Sequence, residues 1–243
     1  MDELSPNPPA IPEPPGFGGP PPTPPSPPVP PPAPLALPWE QPGYPFFAAI
    51  IETTKLFLTR PREAFERSSP TIGIGRPLLY GCILSFVGNF FTAIYEFCAR
   101  SIVSSMPMHG AMNDWMSAEW SIPPFARMLG TILVSPFLIP LGILITAGLV
   151  HLFLLLLGGA SGGYANTVKA ESYSNAPLFL SVVPICGSIG GLFWALALLV
   201  IGLTVVHRIS TGKAIAALVL PLLLCCVCLS PLWFLASMRH WFR

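Results

Sequence analysis

The C-terminal part of the chain contains no acidic residue. From Ser172 to Arg243 there is no Asp or Glu, and the sequence is apolar except where proline and glycine interrupt it. Carboxylates in hydrocarbon are costly and usually functional, so this stretch argues against carboxylate chemistry or cation coupling in this half of the chain. The pattern predicts membrane helices with breaks. The interrupting residues are Pro177, Pro184, Gly187, Gly190, Gly191, Gly202 and Pro221.

The composition also indicates an integral membrane protein. Hydrophobic residues make up 52% of the chain and charged residues 9%, with a mean hydropathy of +0.65, outside the range of ordinary soluble domains. The net charge of +1 gives no reason to expect a nucleic acid partner. The six cysteines lie mostly in apolar runs, and the C-x-x-C at residues 225–228 has no second pair and no nearby histidine. We therefore predict no metal site and no cofactor.

Composition divides the chain into four parts. Residues 1–45 are proline-rich and predict a disordered arm, interpreted as a spacer, although P-x-x-P spacing also suits docking into aromatic grooves. The start of the arm lacks a signal-peptide pattern. Residues 46–76 predict a basic amphipathic segment at the membrane surface, residues 77–238 the transmembrane domain, and residues 239–243 a short tail.

The segment after the arm carries apolar residues at helical spacing. Together with the charged residues opposite them, they predict an amphipathic helix that is too short and too charged to span a membrane. Pro61 permits a fresh helical start, after which the same pattern continues. We expect the basic side chains of this segment to contact an anionic membrane surface. They are Lys55, Arg60, Arg62 and Arg67.

The apolar runs after residue 76 predict an all-α polytopic membrane protein. Each long run can cross a hydrocarbon core of about 30 Å, and Pro136 and Pro140 predict a kink or an interfacial start in the second span. The run from Ala176 to Val206 is too long for one straight span and is divided at Pro184. The predicted elements are residues 77–95, a loop with a short interfacial helix at 106–124, then 128–157, a short segment at 173–183, 188–207 and 214–238.

The basic residues near the span ends predict a cytoplasmic N-terminus. Five lie before the first span, and eight fall on the cytoplasmic side against four outside. The count is the same whether the divided element crosses once or twice. Charge alone therefore leaves four and five spans open.

One pattern resembles a catalytic motif. Residues 159–163 match G-x-S-x-G, and His151 and His207 could in principle serve Ser161 as a base. A nucleophilic serine needs a rigid, sharp turn, whereas Ser161 lies in a glycine-rich loop, so we interpret the motif as the end of a helix. His151 lies near the end of a charge-free run and is expected to bond to a neighbouring helix, with Asn89 and Tyr173 as possible partners.

The order of residues resembles the Yip family, the Ypt/Rab-interacting membrane proteins, and most closely its bacterial members. The resemblance covers residues 46–233, and residues 57–65 (FLTRPREAF) look like the segment before the first span in those proteins. The series that carries it is His151, Gly158, Gly159, Thr167, Tyr173, Ser174, Pro177, Pro184, Gly187, Trp194, Gly202, Leu203, His207, Ala214 and Pro221.

This resemblance implies about five transmembrane helices, a cytoplasmic N-terminus and a location in the bacterial cytoplasmic membrane. Eukaryotic relatives bind prenylated Rab GTPases and act in vesicle traffic, whereas for this chain the architecture is what transfers. The candidate functional positions within the resemblance are His151, Tyr173, Pro177, Pro184, Gly187, Gly202 and His207.

We therefore expect a non-enzymatic scaffold or adaptor for membrane organisation or trafficking. Its expected partners are the lipid bilayer and proteins that reach the cytoplasmic N-terminal region. The alternative is a small transporter or channel subunit that uses the broken helices, with His151, Asn89, Tyr173 and Asn175 as its candidate residues. In that case a homo-oligomer would supply the missing helices.

Overall fold

The computed structural model describes residues 36–69, 72–104 and 122–241. The predicted disorder of residues 1–35 and most of the predicted loop at residues 106–124 lie outside these ranges. All regular elements within them are helical, which confirms the all-α prediction. The helices are α1 (Phe46–Thr59), α2 (Pro61–Arg67), α3 (Gly75–Ser104), α4 (Pro124–Leu156), α5 (Gly163–Ser174), α6 (Cys186–His207) and α7 (Thr211–Trp241), with short 3-10 helices at Pro38–Glu40 and Ala176–Val182.

Three described helices are long and apolar enough to cross a membrane. They are α3, α4 and α6, and α7 contributes a shorter apolar stretch at Thr211–Val227. Helix α4 continues through Pro136 and Pro140 without interruption. A chain with several such helices is a multi-pass membrane protein, as the composition predicts.

The element between α4 and α6 crosses the bundle in two pieces. Helix α5 comes first, and the 3-10 helix Ala176–Val182 continues from it. A Cβ atom at Gly81 of α3 would lie 2.7 Å from the Ser172 carbonyl oxygen, and one at Gly88 would lie 2.5 Å from that of Leu178. Residue numbers increase in the same direction along both elements at these two contacts, so the divided element runs parallel to α3.

The same element runs antiparallel to α6. A Cβ at Gly191 would lie 2.9 Å from the Pro177 carbonyl oxygen, and one at Gly187 only 1.9 Å from that of Leu180. Helix α6 thus begins beside the end of the 3-10 helix. Gly187 and Gly191, which the sequence suggests as part of a break, are instead the surface on which the main chain of the neighbouring element lies.

The break itself is a tight turn between the 3-10 helix and α6. The Cys186 amide donates to the Pro184 carbonyl oxygen at 2.7 Å, and Ile185 between them has a φ of 62° and a ψ of −70°. This is the γ-turn of positive φ, which is rare and strained for a residue with a side chain. The predicted division at Pro184 therefore coincides with a real reversal of the chain.

The last residues of the predicted arm are packed on the bundle. Leu37 and Glu40 are buried, Trp39 is 8% exposed, and residues 38–40 form one 3-10 turn. The Trp39 amide donates to the Thr53 hydroxyl at 3.0 Å, and its indole N–H donates to the Arg76 carbonyl at 2.7 Å. Residues 36–45 thus belong to the folded part of the chain. The prediction of disorder remains a prediction for the residues before them.

Candidate functional site

The polar residues of the bundle concentrate on and around α5. This helix carries many polar side chains, yet it packs against α3, α4 and α6. Buried polar groups need hydrogen-bond partners, so their partners identify what the helix holds in place. Its buried polar residues are Thr167, Lys169, Ser172, Tyr173 and Ser174.

Tyr173 joins α5 to the end of the arm. Its hydroxyl donates a hydrogen bond of 2.6 Å to the carboxylate of Glu40, which is 3% exposed. The Ser68 hydroxyl donates to the same carboxylate at 2.9 Å, and the Ser69 amide donates at 2.7 Å. Three donors thus share one buried carboxylate, which offsets much of the cost of removing the charge from water.

Two basic residues complete the surroundings of Glu40. The Arg76 guanidinium donates to the Glu40 carbonyl oxygen at 2.7 Å. Lys169 is 4% exposed, and its ammonium donates to the Ser69 carbonyl at 2.9 Å, so a buried cation stands near the buried anion. The arm, the segment after α2, α3 and α5 therefore meet in one charge-compensated cluster.

Aromatic rings surround this cluster. The Tyr173 ring stacks on Phe57 of α1 with centroids 4.9 Å apart, and its centroid lies 5.4 Å from that of Tyr80 in α3. Trp39 approaches Tyr80 at 5.9 Å. Such contacts add to the burial of the rings, so α1 and the arm are fixed to the bundle by apolar as well as polar contacts.

A second polar group links three helices through two histidines. The Gly162 amide donates to Nδ1 of His207 at 3.0 Å, so this nitrogen is an acceptor and the ring proton of neutral His207 is on Nε2. Nε2 lies 2.9 Å from the Thr167 hydroxyl oxygen, which lies 2.9 Å from Nδ1 of His151. His207 therefore donates to Thr167, and the direction of the bond between Thr167 and His151 depends on the His151 tautomer. His151 thus bonds to Thr167. Tyr173, which the sequence suggested as a possible partner of His151, donates its hydroxyl to Glu40 instead.

The G-x-S-x-G motif holds the loop after α4 against the end of α6. The Ser161 hydroxyl donates to the main-chain carbonyl oxygen of His207, while the ring of His207 is engaged by Gly162 and Thr167. A serine nucleophile needs its hydroxyl on a base nitrogen. This geometry fits the interpretation as a structured helix end.

Three of the remaining candidate positions pack in or against α6, and the fourth, Pro184, lies in the turn before it. Gly187 faces the Leu180 carbonyl, and Pro177 is buried with its own carbonyl against Gly191. Pro184 is exposed in the γ-turn. A Cβ at Gly202 would lie 2.7 Å from Cζ of Phe65, so this glycine makes room for α2 on α6.

The basic residues of the amphipathic segment are largely paired. Arg62 bonds to Glu66 at 3.1 Å, Arg60 lies 3.5 Å from Glu63, and Arg67 also pairs with Glu63. Lys55 is exposed. The surface is therefore closer to charge balance than a count of its basic residues suggests.

Helix α1 has a buried face and an exposed apolar face. One, formed by Ala49, Thr53, Thr54 and Phe57, is buried against the bundle. The other contains Phe46, Phe47 and Ile51, which are 50%, 77% and 53% exposed. At the base of this face the exposed Tyr44 hydroxyl donates to the Glu52 carboxylate, and this hydrogen bond raises the pKa of Tyr44. The single apolar stripe expected from the sequence is therefore shared between the bundle and the surroundings.

The transporter candidates do not form one cluster. His151 lies at the α6 C-terminal end of the bundle, whereas Asn175 ends α5 and accepts the Leu178 amide at 3.0 Å through its carbonyl. Asn89 is half-buried on α3. Among the described residues, no group of three or more His, Cys, Asp or Glu side chains could hold a metal ion.

Comparison with protein families gives one match. The Yip1 domain model matches residues 55–231, well over half of the chain. The chain belongs to the Yip1 domain family. Comparison with curated proteins and with solved structures finds no match. The protein is thus a multi-pass membrane protein of the Yip family. The matched range contains His151, His207, Tyr173 and the glycines of α6.

Glu40 and Trp39 lie before the matched range, so the hydrogen bond from Tyr173 joins the Yip1 domain to a segment outside it. Sequence reasoning missed Glu40 because it lies between Pro38 and Pro42, at the end of a proline-rich segment. Lys169 entered the sequence analysis only as one of the basic residues counted for orientation. Thr167 entered only as one of the residues that carry the family resemblance. The one available signal was the interruption of the proline repeat by Leu37, Trp39 and Glu40.

Proposed function

We propose that this Yip1 domain protein is a non-enzymatic scaffold or adaptor for membrane organisation or trafficking. The observation that carries the proposal is the fixed position of α1 and α2. Their inner sides are held by buried contacts, while their outer sides present apolar and charged side chains. A surface held in this way is pre-organised for a partner and loses little entropy on binding.

The inner contacts involve α1, α2 and the end of the arm. Phe57 of α1 stacks on Tyr173, Phe65 of α2 packs over Gly202, and Glu40 accepts the Tyr173 hydroxyl. Two of these contacts reach Tyr173 of α5, and the third reaches α6. The surface is therefore rigidly attached to the bundle. This is what an adaptor needs if a partner bound to the surface is to hold the transmembrane helices in place.

The outer side offers two chemistries. Phe46, Phe47 and Ile51 expose a compact apolar patch at the start of α1, which suits the lipid–water boundary. Lys55 and the paired Arg60 and Arg62 follow along the chain. Paired charges favour complementary protein surfaces over a purely anionic membrane, so we assign the apolar patch to the bilayer and the charged part to protein partners.

We also propose that the N-terminus faces the cytoplasm of a bacterium. Arg62, Lys169 and Arg208 lie at the bundle end that carries α2. At the other end, Arg100 and Arg127 share Glu96 at 2.9 Å and 3.3 Å. The excess of basic groups at the α2 end supports a cytoplasmic location for that end.

Photo-crosslinking from single positions in native membranes tests the adaptor proposal. A photoreactive residue at Lys55 or Arg60 should give discrete protein adducts. Phe137, which is 76% exposed on the transmembrane helix α4, is the matched control and should give lipid adducts. The absence of protein adducts from α1 and α2, or the same adducts from Phe137, would contradict the proposal.

The histidine chain favours one second candidate, a small transporter or channel subunit. His207, Thr167 and His151 form a continuous hydrogen-bonded path of the kind that can carry a proton. Against it stands the close backbone packing of the divided element between α3 and α6. Proteoliposomes with a pH-sensitive dye decide: a flux that disappears in folded His151→Ala and Asn89→Ala variants would replace the adaptor by a transporter.

A further inference from the structure

A cavity of about 610 Å³ lies between α2, α5 and α6, and it shares only Arg62 with the adaptor surface. Its volume is typical of sites that hold small ligands. One side is polar and basic, and the other is apolar. The polar side includes Arg62, Ser68, Asn166, Lys169 and Arg208, and the apolar side includes Phe65, Val205 and Ile209.

The charge of the cavity favours an anion. Three basic side chains line it, from α2, α5 and the end of α6, and Glu66 is the acidic residue among the lining residues. Glu66 is already paired with Arg62 at 3.1 Å. Lys169 in turn stands near the Glu40 carboxylate, so the cavity carries less net positive charge than its three basic side chains suggest. The charge that remains, in a partly enclosed space, attracts anions more strongly than the same charge in open water.

Lys169 brings part of this charge into the protein interior. The residue is 4% exposed and is held by the Ser69 carbonyl at 2.9 Å. Its position is therefore set before any ligand arrives. A pre-positioned ammonium beside two guanidinium groups and serine and asparagine side chains resembles the donor sets that bind phosphoryl oxygens.

Arg208 lies where α6 ends beside the cavity. It has a φ of 54° and a ψ of 43°, and its amide donates to the Thr204 carbonyl. This left-handed end position favours glycine, yet it is occupied by an arginine that lines the cavity.

We propose that this cavity binds a phosphoryl group, carried by the headgroup of an anionic phospholipid or by a soluble phosphate compound. Arg62, Lys169 and Arg208 contact the phosphoryl group, and Asn166 supplies a neutral polar contact. In the apolar wall, Val205 belongs to the last turn of α6, a helix long enough to cross the membrane, so the wall suits the first carbons of a lipid. The inference does not rest on the adaptor proposal.

Binding to the full-length protein in neutral detergent tests the site. Phosphatidylglycerol, phosphatidylcholine and inorganic phosphate are titrated separately, and bound molecules are counted by native mass spectrometry. We expect Arg208→Gly and Arg62→Gln each to weaken binding by about tenfold or more, since each removes a charge-assisted contact. Arg60→Gln, an equal charge change outside the cavity, is the control and should change binding by less than about twofold.

The glycine variant separates binding from folding. Glycine suits the positive φ of residue 208, so Arg208→Gly should keep or raise the apparent melting temperature while binding falls. Tight phosphatidylglycerol binding with weak competition by inorganic phosphate identifies a lipid source, and equal binding of inorganic phosphate identifies a soluble one. Unchanged binding in both Arg208→Gly and Arg62→Gln, or equal losses in Arg60→Gln, would overturn the proposal.

Discussion

The ring of Phe65 lies directly over Gly202, and a Cβ atom added to this glycine would stand 2.7 Å from Cζ of the ring. Phe65 is 3% exposed and also packs edge-on against Phe57 with centroids 4.9 Å apart. The ring therefore has little room to move away. One glycine on α6 thus determines how closely the surface segment α2 approaches the transmembrane bundle.

Gly202→Ala should destabilise the protein by about 1–3 kcal/mol, because the added methyl group overpacks the contact with Phe65. The measurement is the apparent melting temperature in detergent at a fixed scan rate. Gly190→Ala in the same helix is the control, since nothing lies within 4 Å of its added Cβ, and it should leave stability unchanged or raise it. Equal losses in both variants would contradict the contact.

Gly187→Ala should cost more than Gly202→Ala. Its Cβ would stand 1.9 Å from the Leu180 carbonyl oxygen, and a main-chain atom cannot rotate away as a ring can. The 3-10 helix would have to move off α6. The same thermal measurement checks the order of the two losses, and a smaller loss at Gly187 would mean that the 3-10 helix is free to shift.

Tyr173→Phe should release the end of the arm. The change leaves the Glu40 carboxylate with one donor fewer, which costs about 1–3 kcal/mol. Because Trp39 is buried, cleavage by chymotrypsin after this residue should accelerate by about tenfold or more. Tyr44→Phe, which removes the exposed bond to Glu52, is the matched control and should have little effect.

A double-mutant cycle sharpens this test. If the Tyr173 hydroxyl acts through Glu40, the effects of Tyr173→Phe and Glu40→Gln on stability will not be additive. Additive losses would show that the two side chains contribute separately and that the buried hydrogen bond has little energetic weight.

Thr167→Val should destabilise the protein by about 2–4 kcal/mol, because valine keeps the shape of threonine but leaves both histidines without their shared partner. Thr167→Ser keeps the hydroxyl and should lose less than half as much. Both are measured by thermal unfolding in detergent. A loss in Thr167→Ser as large as that in Thr167→Val would show that keeping the hydroxyl does not preserve stability and would contradict the prediction.

Reporter fusions at the two termini test the number of crossings. The divided element runs parallel to α3 and antiparallel to α6, so we expect five crossings and termini on opposite sides of the membrane. Signals from the same side would indicate four crossings and would place α5 and the 3-10 helix in a re-entrant arrangement.

The membrane helices could be predicted from the sequence because they depend on local composition. Helices α3, α4 and α6 each contain an apolar stretch long enough to cross a membrane, and Pro184 marks the reversal before α6. The role of Gly187 could not be predicted in the same way. A glycine that breaks a helix and a glycine that receives a neighbouring chain look alike until the neighbour is known.

The polar core depends on distant residues and was less accessible. Glu40 and Tyr173 are separated by 133 positions, so no local pattern could pair them. The pairing of Arg62 with Glu66, by contrast, follows from their spacing of four on a helix and was available in the sequence. The division of the α1 apolar stripe into two faces required knowledge of where the bundle lies.

The separation of Glu40 from Tyr173 has a consequence for synthesis. Ribosomes make Glu40 first, and its phenol partner appears 133 residues later, after the α3 and α4 segments have been produced. Until then, the newly made carboxylate has only the donors close to it in the chain. Formation of the Glu40–Tyr173 contact therefore requires a nascent chain that has been completed at least through α5, so Glu40 reaches its final surroundings only after the helices that follow it have been made.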